Sequence, residues 1–458
     1  MKLFIRCLAL FFAISGNRFL HADDWPQWLG PQRDGVWRET GLLDQFPKNG
    51  PKVVWKTAIG GGYAGPAVVG NNVYVVDRLL SDGQREADNP FTKSKSLGQE
   101  RILCLRRDDG KVVWSHEYPC QYSMQYPCGP RCTPTVIDGQ VFVLGAMGHL
   151  TTLDATSGKL LWKRDLIADF GAKVPVWGFA SHPLVVGNLV ITLVGGKSPE
   201  SVIMAFERST GKLAWKALSL ENAQNDIGYC PPTLIEHSGR KLLIAWHPEA
   251  VCALVPETGK VLWQVPFKLK ANLSVPTPRY IDGKLLVSAF YNGSMLIKIS
   301  ESGDTAEVVW KGKGRGETPK QTDGLHSIMA TPYIDKDHVY GVCSYGELRC
   351  IHLLDGARVW ENLKATGSAN EPVERWANAF LVRHEEKTIL FNEKGDLIIS
   401  RMTPVGYEEL SRAHVIEPTG VAPAGGVNRK IVWSHPAFAN KCVFVRNDRE
   451  IICISMAK

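Results

Sequence analysis

A short pattern of strand, glycine turn, strand and tryptophan recurs along this chain of 458 residues. The clearest copy is Thr-Thr-Leu-Asp-Ala-Thr-Ser-Gly-Lys-Leu-Leu-Trp at residues 151–162. The copies end at six tryptophans spaced 48, 53, 48, 47 and 50 residues apart, namely Trp114, Trp162, Trp215, Trp263, Trp310 and Trp360. A period of about 50 residues built from short β segments predicts a β-propeller, because each four-stranded blade buries its faces only against neighbouring blades.

The two ends of the chain predict how the ring closes. Residues 52–59 look like an outer, tryptophan-bearing strand without its inner strands, and residues 434–454 supply three strands that no tryptophan strand follows. Joining them in one blade removes the exposed edges of an open sheet. We therefore predict one all-β domain over residues 23–458. It is an eight-bladed propeller of four-stranded antiparallel blades, in which the N-terminal strand completes the C-terminal blade; seven blades is the alternative.

Four places depart from the repeat. Blade five lacks the glycine four residues before Trp310, and blade seven has Gly-Tyr-Glu-Glu-Leu at residues 406–410 where the turn and last strand belong. Residues 79–99 form a polar insertion in blade one, and residues 418–430, rich in proline and glycine, join blades seven and eight. Both insertions are expected to be loops, the places on a rigid scaffold where function tends to be located.

The repeat resembles the pyrroloquinoline-quinone-like propeller repeat, also grouped with WD40- and YVTN-like repeats. It is found in quinoprotein alcohol dehydrogenases and in the propeller lipoprotein of the bacterial outer-membrane assembly machinery. The resemblance covers nearly all of the chain after residue 24. The opening Asp-Trp-Pro-Gln-Trp-Leu-Gly-Pro-Gln-Arg-Asp-Gly at residues 24–35 is similar to the start of secreted bacterial members. The resemblance implies the fold, and it implies either a scaffold or an oxidoreductase.

The oxidoreductase alternative requires cofactor-binding residues that can be looked for in the sequence. The resemblance implies pyrroloquinoline quinone against a disulfide of adjacent cysteines, calcium held by carboxylate and amide side chains, and an aspartate base. The chain contains no adjacent cysteines and no C-x-x-C-H haem motif. Quinone and calcium therefore belong to the alternative, and a binding or scaffolding module is the main hypothesis.

The N-terminus predicts export. Residues 1–22 place Lys2 and Arg6 before a short apolar run, as in a secretory signal peptide, with an uncleaved anchor as the alternative. We therefore expect a periplasmic or extracellular protein without a transmembrane segment. The formal charge of +7 loses Lys2, Arg6 and Arg18 with the signal. The remaining charge of about +4 is too small to predict a nucleic-acid partner.

Three cysteines crowd one connection. Cys120, Cys128 and Cys132 predict a disulfide, either Cys120 to Cys128 or Cys128 to Cys132, in an oxidising compartment. Cysteines at repeat positions in strands, such as Cys104 and Cys350, are expected to be buried inert thiols. The sequence predicts no metal site.

The residues that precede the innermost strands are expected to border the mouth of the central channel. Aligning these strands on a proline, which Ala379 replaces in blade seven, places aromatic residues and a cation in neighbouring blades. The resulting candidate ligand-binding residues are Tyr63, Arg131, Tyr229, Trp376, Asn378, Trp433 and His435. Such an arc would suit a protein, a glycan or a flat small ligand. The alternative is that these side chains pack as core. His182 matches His435 in position, but their blades are well separated, so both are expected to be structural.

Overall fold

The computed structural model describes residues 24–222, 226–314, 316–343, 345–367, 373–424 and 427–458, apart from the side chains of residues 424 and 427. The predicted signal peptide, residues 1–22, lies outside the described residues. Among the residues that are described, no helix is long and apolar enough to cross a bilayer.

Eight four-stranded antiparallel sheets form a ring, so the eight-bladed propeller is confirmed and the seven-bladed alternative is wrong. Blades are numbered from the first complete one. The innermost strands of blades one to eight are Ala67–Val69, Thr135–Ile137, Leu184–Val186, Thr233–His237, Arg279–Ile281, Tyr333–Asp335, Ala379–His384 and Ala437–Ala439. The second strands are Asn72–Leu80, Gln140–Leu144, Leu189–Leu193, Arg240–His247, Lys284–Ala289, His338–Val342, Lys387–Asn392 and Cys442–Arg446.

The two remaining strands of each blade lie farther from the channel. The third strands are Gly98–Arg106, His149–Asp154, Ile203–Glu207, Ala250–Leu254, Gly293–Ile299, Leu348–His352, Asp396–Thr403 and Glu450–Ser455. The outer strands are Val112–Pro119, Leu160–Asp165, Leu213–Ala217, Val261–Pro266, Ala306–Lys311, Arg358–Asn362, Gly406–His414 and Val53–Ala58. The second and third strands are mostly buried on both faces, because each sheet is covered by a blade on either side.

Several short elements lie outside the eight blades. The described helices are the α-helix Leu166–Phe170 and the 3-10 turns Lys270–Asn272 and Pro319–Gln321. Two antiparallel ribbons lie outside the blades: Ser94–Ser96 pairs with Tyr122–Met124, and Gly420–Ala424 pairs with Val427–Ile431. The prediction of plain loops in both insertions is therefore wrong. Cross-strand backbone hydrogen bonds order part of each insertion.

The ring closes as the sequence predicts. The strand Val53–Ala58 pairs antiparallel with Glu450–Ser455 as the outer strand of blade eight, with Lys56 opposite Ile452. These two strands are thus held together by a backbone ladder, which completes blade eight.

The repeated tryptophan and the repeated glycine interlock between neighbouring blades. The outer-strand indole N–H donates to a backbone carbonyl of the next blade at 2.5–3.1 Å in the six cases Trp55, Trp114, Trp162, Trp215, Trp310 and Trp360. The indole lies against the turn glycine of that next blade. A Cβ on this glycine would come within 2.5–2.8 Å of an indole carbon, as at Gly110, Gly158, Gly211, Gly259 and Gly356. These glycines also have φ between 68° and 72°. The close indole and the positive φ both require glycine at this position, which explains why the tryptophan and the glycine recur together.

Blade five shows what happens when the turn changes. Its turn lacks the glycine that the tryptophan of the preceding blade contacts elsewhere in the ring, and that tryptophan is here Trp263 of blade four. The Trp263 indole nitrogen is buried and has no hydrogen-bond partner among the described residues. The irregular turn seen in the sequence thus removes one of the inter-blade hydrogen bonds.

The N-terminal segment, residues 24–43, closes one end of the channel. Trp25 exchanges two backbone hydrogen bonds with Val68 of blade one, and the Pro26 carbonyl accepts from the second blade. The buried guanidinium of Arg33 donates to carbonyls that precede the inner strands of blades three and four, each at 3.3 Å. Trp37 then binds blade seven through its backbone, and Glu39 accepts from blade eight. The central channel of this propeller is therefore closed at one end and stops at Trp28.

Candidate functional site

A cavity of about 450 Å3 occupies the open end of the channel, where the innermost strands begin. Its floor is Trp28, whose indole N–H donates to Thr277 Oγ1 at 2.8 Å. His182 stacks on this indole at a centroid distance of 4.2 Å, and His435 lies at 4.7 Å. The two histidines therefore pack on one tryptophan, as structural partners of the floor.

The structure brings six of the seven predicted residues together around this cavity. Those that line it are Tyr63, Arg131, Tyr229, Trp376, Trp433 and His435. Asn378 is buried and is not among the lining residues. The arc of Trp376, Trp433 and Tyr63 spans blades seven, eight and one, and the guanidinium of Arg131 lies 5.0 Å from the Tyr63 ring.

Sequence reasoning missed more than half of the aromatic wall. Phe91, from the blade-one insertion, lies 5.6 Å from the Trp376 ring and 5.1 Å from that of Tyr126. Tyr126, from the cysteine-bearing connection, is 5.9 Å from the Trp433 ring. The other residues missed include Trp28, Trp177, Phe290, Tyr291 and Arg375. The one signal for Phe91 was its place in a long insertion, because insertions from a propeller face can fold over the channel.

Two wall residues have strained backbones. Trp376 has φ 65° and Tyr126 has φ 51°, in the left-handed region that bulky side chains rarely adopt. Such strain costs about 1–3 kcal/mol and persists where surrounding structure holds it. Here it turns two aromatic rings toward the same cavity.

The charges at the wall are positive. Arg131 donates to backbone carbonyls of Gly129, Gln125 and Tyr126 and makes no salt bridge among the described residues. Arg375 lies over the Trp376 ring and is paired with Glu317 at 2.7 Å. None of the described residues that line the cavity is an aspartate or a glutamate. The wall therefore favours an anionic group beside an apolar one.

Burial sets the protonation of the floor and the wall. Desolvation lowers the pKa of His435 to about 4 and holds the pKa of His182 well below its ordinary value. It also raises the pKa of Tyr126 to about 12 and that of Tyr63 well above 10. At neutral pH these histidines and phenols are uncharged, so the formal charges among the lining residues are those of Arg131 and of Arg375, which is paired with Glu317.

The wall does not supply the calcium ligands that the sequence resemblance implies. Among the described lining residues there is no aspartate, glutamate, asparagine or cysteine. The side chains present fit a flat apolar group between aromatic rings, and they do not fit a calcium centre with a carboxylate base.

The predicted disulfide is not formed in the structure. Cys120, Cys128 and Cys132 are free thiols with separate partners. Cys128 donates to Asp448 Oδ1 at 3.1 Å, and Cys132 lies 3.8 Å from the Phe179 carbonyl. The extended strand Tyr122–Met124 runs between Cys120 and Cys128, so backbone pairing holds this connection in place of a covalent bond. The strand cysteines, such as Cys104 and Cys350, are buried thiols as predicted.

Comparisons with known proteins give two kinds of relative. One is the outer membrane protein assembly factor BamB of Moranella endobia, which is 25% identical over 277 residues, 58% of this chain and 65% of that protein. Another is the quinohemoprotein alcohol dehydrogenase ADH-IIG of Pseudomonas putida, 23% identical over 39% of this chain and 24% of that protein. The chain thus spans less than two thirds of the length of these curated relatives.

A solved structure agrees with the fold. The quinohemoprotein alcohol dehydrogenase of Comamonas testosteroni superposes with a TM-score of 0.60 at 14% identity, over 95% of this chain and 81% of that one. At this identity the similarity shows the fold alone. The family model described as outer membrane protein assembly factor BamB matches residues 98–362, more than half of the chain. The repeat, the eight blades and this match together show that the chain belongs to the PQQ-like β-propeller family that includes BamB.

Proposed function

We propose that this protein is an exported, non-catalytic binding module whose cavity holds a flat, apolar group that carries a negative charge. The observation that supports this most is the one-ended cavity of about 450 Å3, walled by aromatic rings and two arginines. Ligand cavities of roughly 300–1,000 Å3 are typically apolar, with a few polar groups that fix orientation. Arg131, which makes no salt bridge among the described residues, supplies such a group.

The occupant is either a free small molecule or an aromatic, acidic segment of a protein partner. A protein partner is in keeping with the relatives described as outer membrane protein assembly factors. A glycan fits less well, because the lining residues offer few groups that hydrogen-bond to hydroxyls. The predicted signal peptide and these relatives support a periplasmic location.

The quinone-dependent oxidoreductase is the second candidate. The relatives described as quinohemoprotein alcohol dehydrogenases favour it, and the aromatic wall would accept a flat quinone. The described lining residues offer no carboxylate base and no calcium ligand. Binding of a quinone without turnover is therefore compatible with the proposal, whereas calcium-dependent alcohol oxidation is not.

A pair of matched dyes tests the proposal. Anilinonaphthalene sulfonate is a flat apolar anion, and phenyl naphthylamine is the same ring system without the sulfonate. We expect the anion to bind residues 23–458 with one site and to bind more tightly than the neutral dye, measured by dye fluorescence. Equal affinity of the two dyes, or many weak sites for the anion, would contradict a single cationic cavity.

Arginine variants locate the charge. Arg131→Gln should remove most of the preference for the anion, by about tenfold in Kd, since 1.4 kcal/mol corresponds to a factor of ten. Arg240→Gln is the matched control, because Arg240 is an exposed arginine that pairs with Asp304 and does not line the cavity. An unchanged preference in Arg131→Gln would refute the role given to this arginine.

Pyrroloquinoline quinone separates the two candidates. Our proposal predicts that any quinone binding is independent of calcium and that ethanol does not reduce the bound quinone. Calcium-dependent reduction of the quinone by ethanol, followed by its absorbance, would establish the oxidoreductase instead.

A further inference from the structure

A second cluster of functional side chains lies away from the cavity, between blades one and two. Glu100 is in the third strand of blade one, Cys120 follows the outer strand of that blade, and His149 begins the third strand of blade two. One ligand atom from each lies within 4.8 Å of the others. The Cys120 Sγ to His149 Nδ1 distance is 3.8 Å.

The Glu100 carboxylate is buried among hydrogen-bond donors. Its side chain is fully buried, and it accepts hydrogen bonds from the hydroxyls of Tyr118 and Tyr122 and from the Ala146 N–H, the last at 3.0 Å. Arg78 lies opposite Glu100 in the sheet but pairs with Glu86 at 3.2 Å. No salt bridge of Glu100 occurs within the described part of the chain. A buried charge is normally paired or bound to a metal, because leaving it uncompensated is costly.

The imidazole of His149 lies between a sulfur and a carboxylate. Nδ1 faces the Cys120 sulfur, and Nε2 on the other side of the ring lies 4.0 Å from Asp165 Oδ2. Histidines that bind metals generally direct their second nitrogen to a carboxylate or carbonyl, which fixes the ring and raises its basicity. This arrangement is independent of the burial of Glu100 and points to the same position.

We propose that Glu100, Cys120 and His149 bind one Zn2+ ion. Thiolate, imidazole and carboxylate are the three side-chain ligands of protein zinc, and the sulfur favours zinc over the hard ions magnesium and calcium. Binding displaces the thiol proton of Cys120 to solvent. The side chain of His149 is 30% exposed, which gives the ion a path from water.

The ion would join two blades. Two ligands belong to blade one and its following connection, and the third belongs to blade two, so the metal adds bonds across an interface that packing and hydrogen bonds already hold. This site goes beyond the proposed cavity function and does not depend on it. It also differs from the sequence prediction of no metal site, because its ligands come from three separate parts of the chain.

A second triad supplies a control within the same molecule. Asp337, His338 and His352 also place their ligand atoms within 4.8 Å, but Asp337 and His352 are exposed and the set contains no sulfur. A zinc ion bound there would survive loss of Cys120, and one bound at the proposed site would survive loss of His352.

The experiment measures zinc directly. The protein, residues 23–458, is stripped with a chelator, dialysed against zinc chloride and analysed for metal content, and a parallel sample is loaded with cobalt(II). We expect one zinc per chain, a thiolate-to-cobalt charge-transfer band, and a rise in the unfolding temperature with zinc. Cys120→Ser and His149→Gln should each lose the ion and the band, while Cys128→Ser and His352→Gln should keep both.

Asp165 tests the orientation of the histidine. Asp165→Asn should weaken zinc binding about 10- to 100-fold, as expected for loss of a carboxylate that supports a ligand. The same variant keeps the start of the helix Leu166–Phe170, because Asn is as good an N-cap as Asp.

Three results would overturn the zinc site. These are no zinc in the wild-type protein, zinc retained by the Cys120→Ser, His149→Gln double variant, and loss of zinc in His352→Gln with the other triad intact. If the buried Cys120→Ser change prevents folding, judged by circular dichroism, His149→Gln alone decides, because His149 is partly exposed.

Discussion

The interlock of tryptophan and glycine between blades makes a quantitative prediction at Gly158. An alanine there would place its Cβ 2.6 Å from two carbons of the Trp114 ring, at a residue with φ 69°. The left-handed backbone costs about 1–2 kcal/mol for a residue with a Cβ. Displacing a packed ring adds about 1–3 kcal/mol. Gly158→Ala should therefore lower the free energy of unfolding by about 2–5 kcal/mol.

Gly139 in the same blade provides the matched control. It has φ 74°, and a Cβ there would meet no atom within 4 Å. Gly139→Ala should cost only the backbone part, about 1–2 kcal/mol. Urea unfolding followed by tryptophan fluorescence measures both variants, and their difference isolates the contact with Trp114.

A double-mutant cycle completes this test. In a Trp114→Ala background the clash is gone, so Gly158→Ala should cost no more than Gly139→Ala. Equal costs of the two glycine substitutions in the wild-type protein would refute the interlock. A difference that persists without Trp114 would do the same.

Three further predictions concern the blades and the floor. Trp263→Phe should destabilise the protein less than Trp215→Phe, by about 0.5–1.5 kcal/mol in urea unfolding, because the Trp263 N–H has no partner within the described part of the chain, whereas that of Trp215 bonds to a carbonyl at 3.1 Å. Equal losses would contradict this. The pKa of His435 is lowered to about 4 in the folded protein, so between about pH 6.5 and 4 the unfolded chain binds a proton that the folded chain does not, and stability falls as the pH falls. His435→Gln should remove about 2 kcal/mol of this loss between pH 7.5 and pH 5, and an unchanged pH dependence of the urea midpoint would count against it. Trp28→Ala should cost about 3–5 kcal/mol and weaken binding of the anionic dye, and a dye affinity equal to wild type would show that Trp28 is not the floor of the site.

The repeat predicted the ring because its signals are local. The spacing of Trp114, Trp162 and their equivalents sets the blade length, and the unmatched end strands set the closure. The missing glycine in the turn of blade five also coincides with the missing hydrogen bond of the Trp263 indole among the described residues. These features depend on neighbours that lie one repeat apart, so a sequence period captures them.

The cavity was predictable only in part. Alignment of the inner strands placed Trp376, Trp433 and Tyr63 at one mouth, but it fixed position along a strand and not exposure to the cavity, and Asn378 is buried and does not line the cavity. Phe91 reaches the cavity through an insertion whose path no repeat describes.

The closed floor could not be read from the repeat at all. The N-terminal segment makes a few contacts with each of many blades, such as those of Trp25 and Arg33, and these contacts have no periodic pattern. The Glu100, Cys120 and His149 cluster was missed for a related reason, since its members are not spaced as a metal motif. Both features form because the closed ring brings together residues that are far apart in the sequence.

The most direct measurement is a crystal structure of residues 23–458 grown with a brominated naphthalene sulfonate, with anomalous diffraction recorded at the bromine edge. The account predicts one strong bromine peak inside the cavity, among Trp28, Trp376 and Trp433, with the sulfonate toward Arg131. A peak elsewhere on the propeller, or an empty cavity at a ligand concentration that saturates the dye signal in solution, would contradict the assignment of this cavity as the binding site.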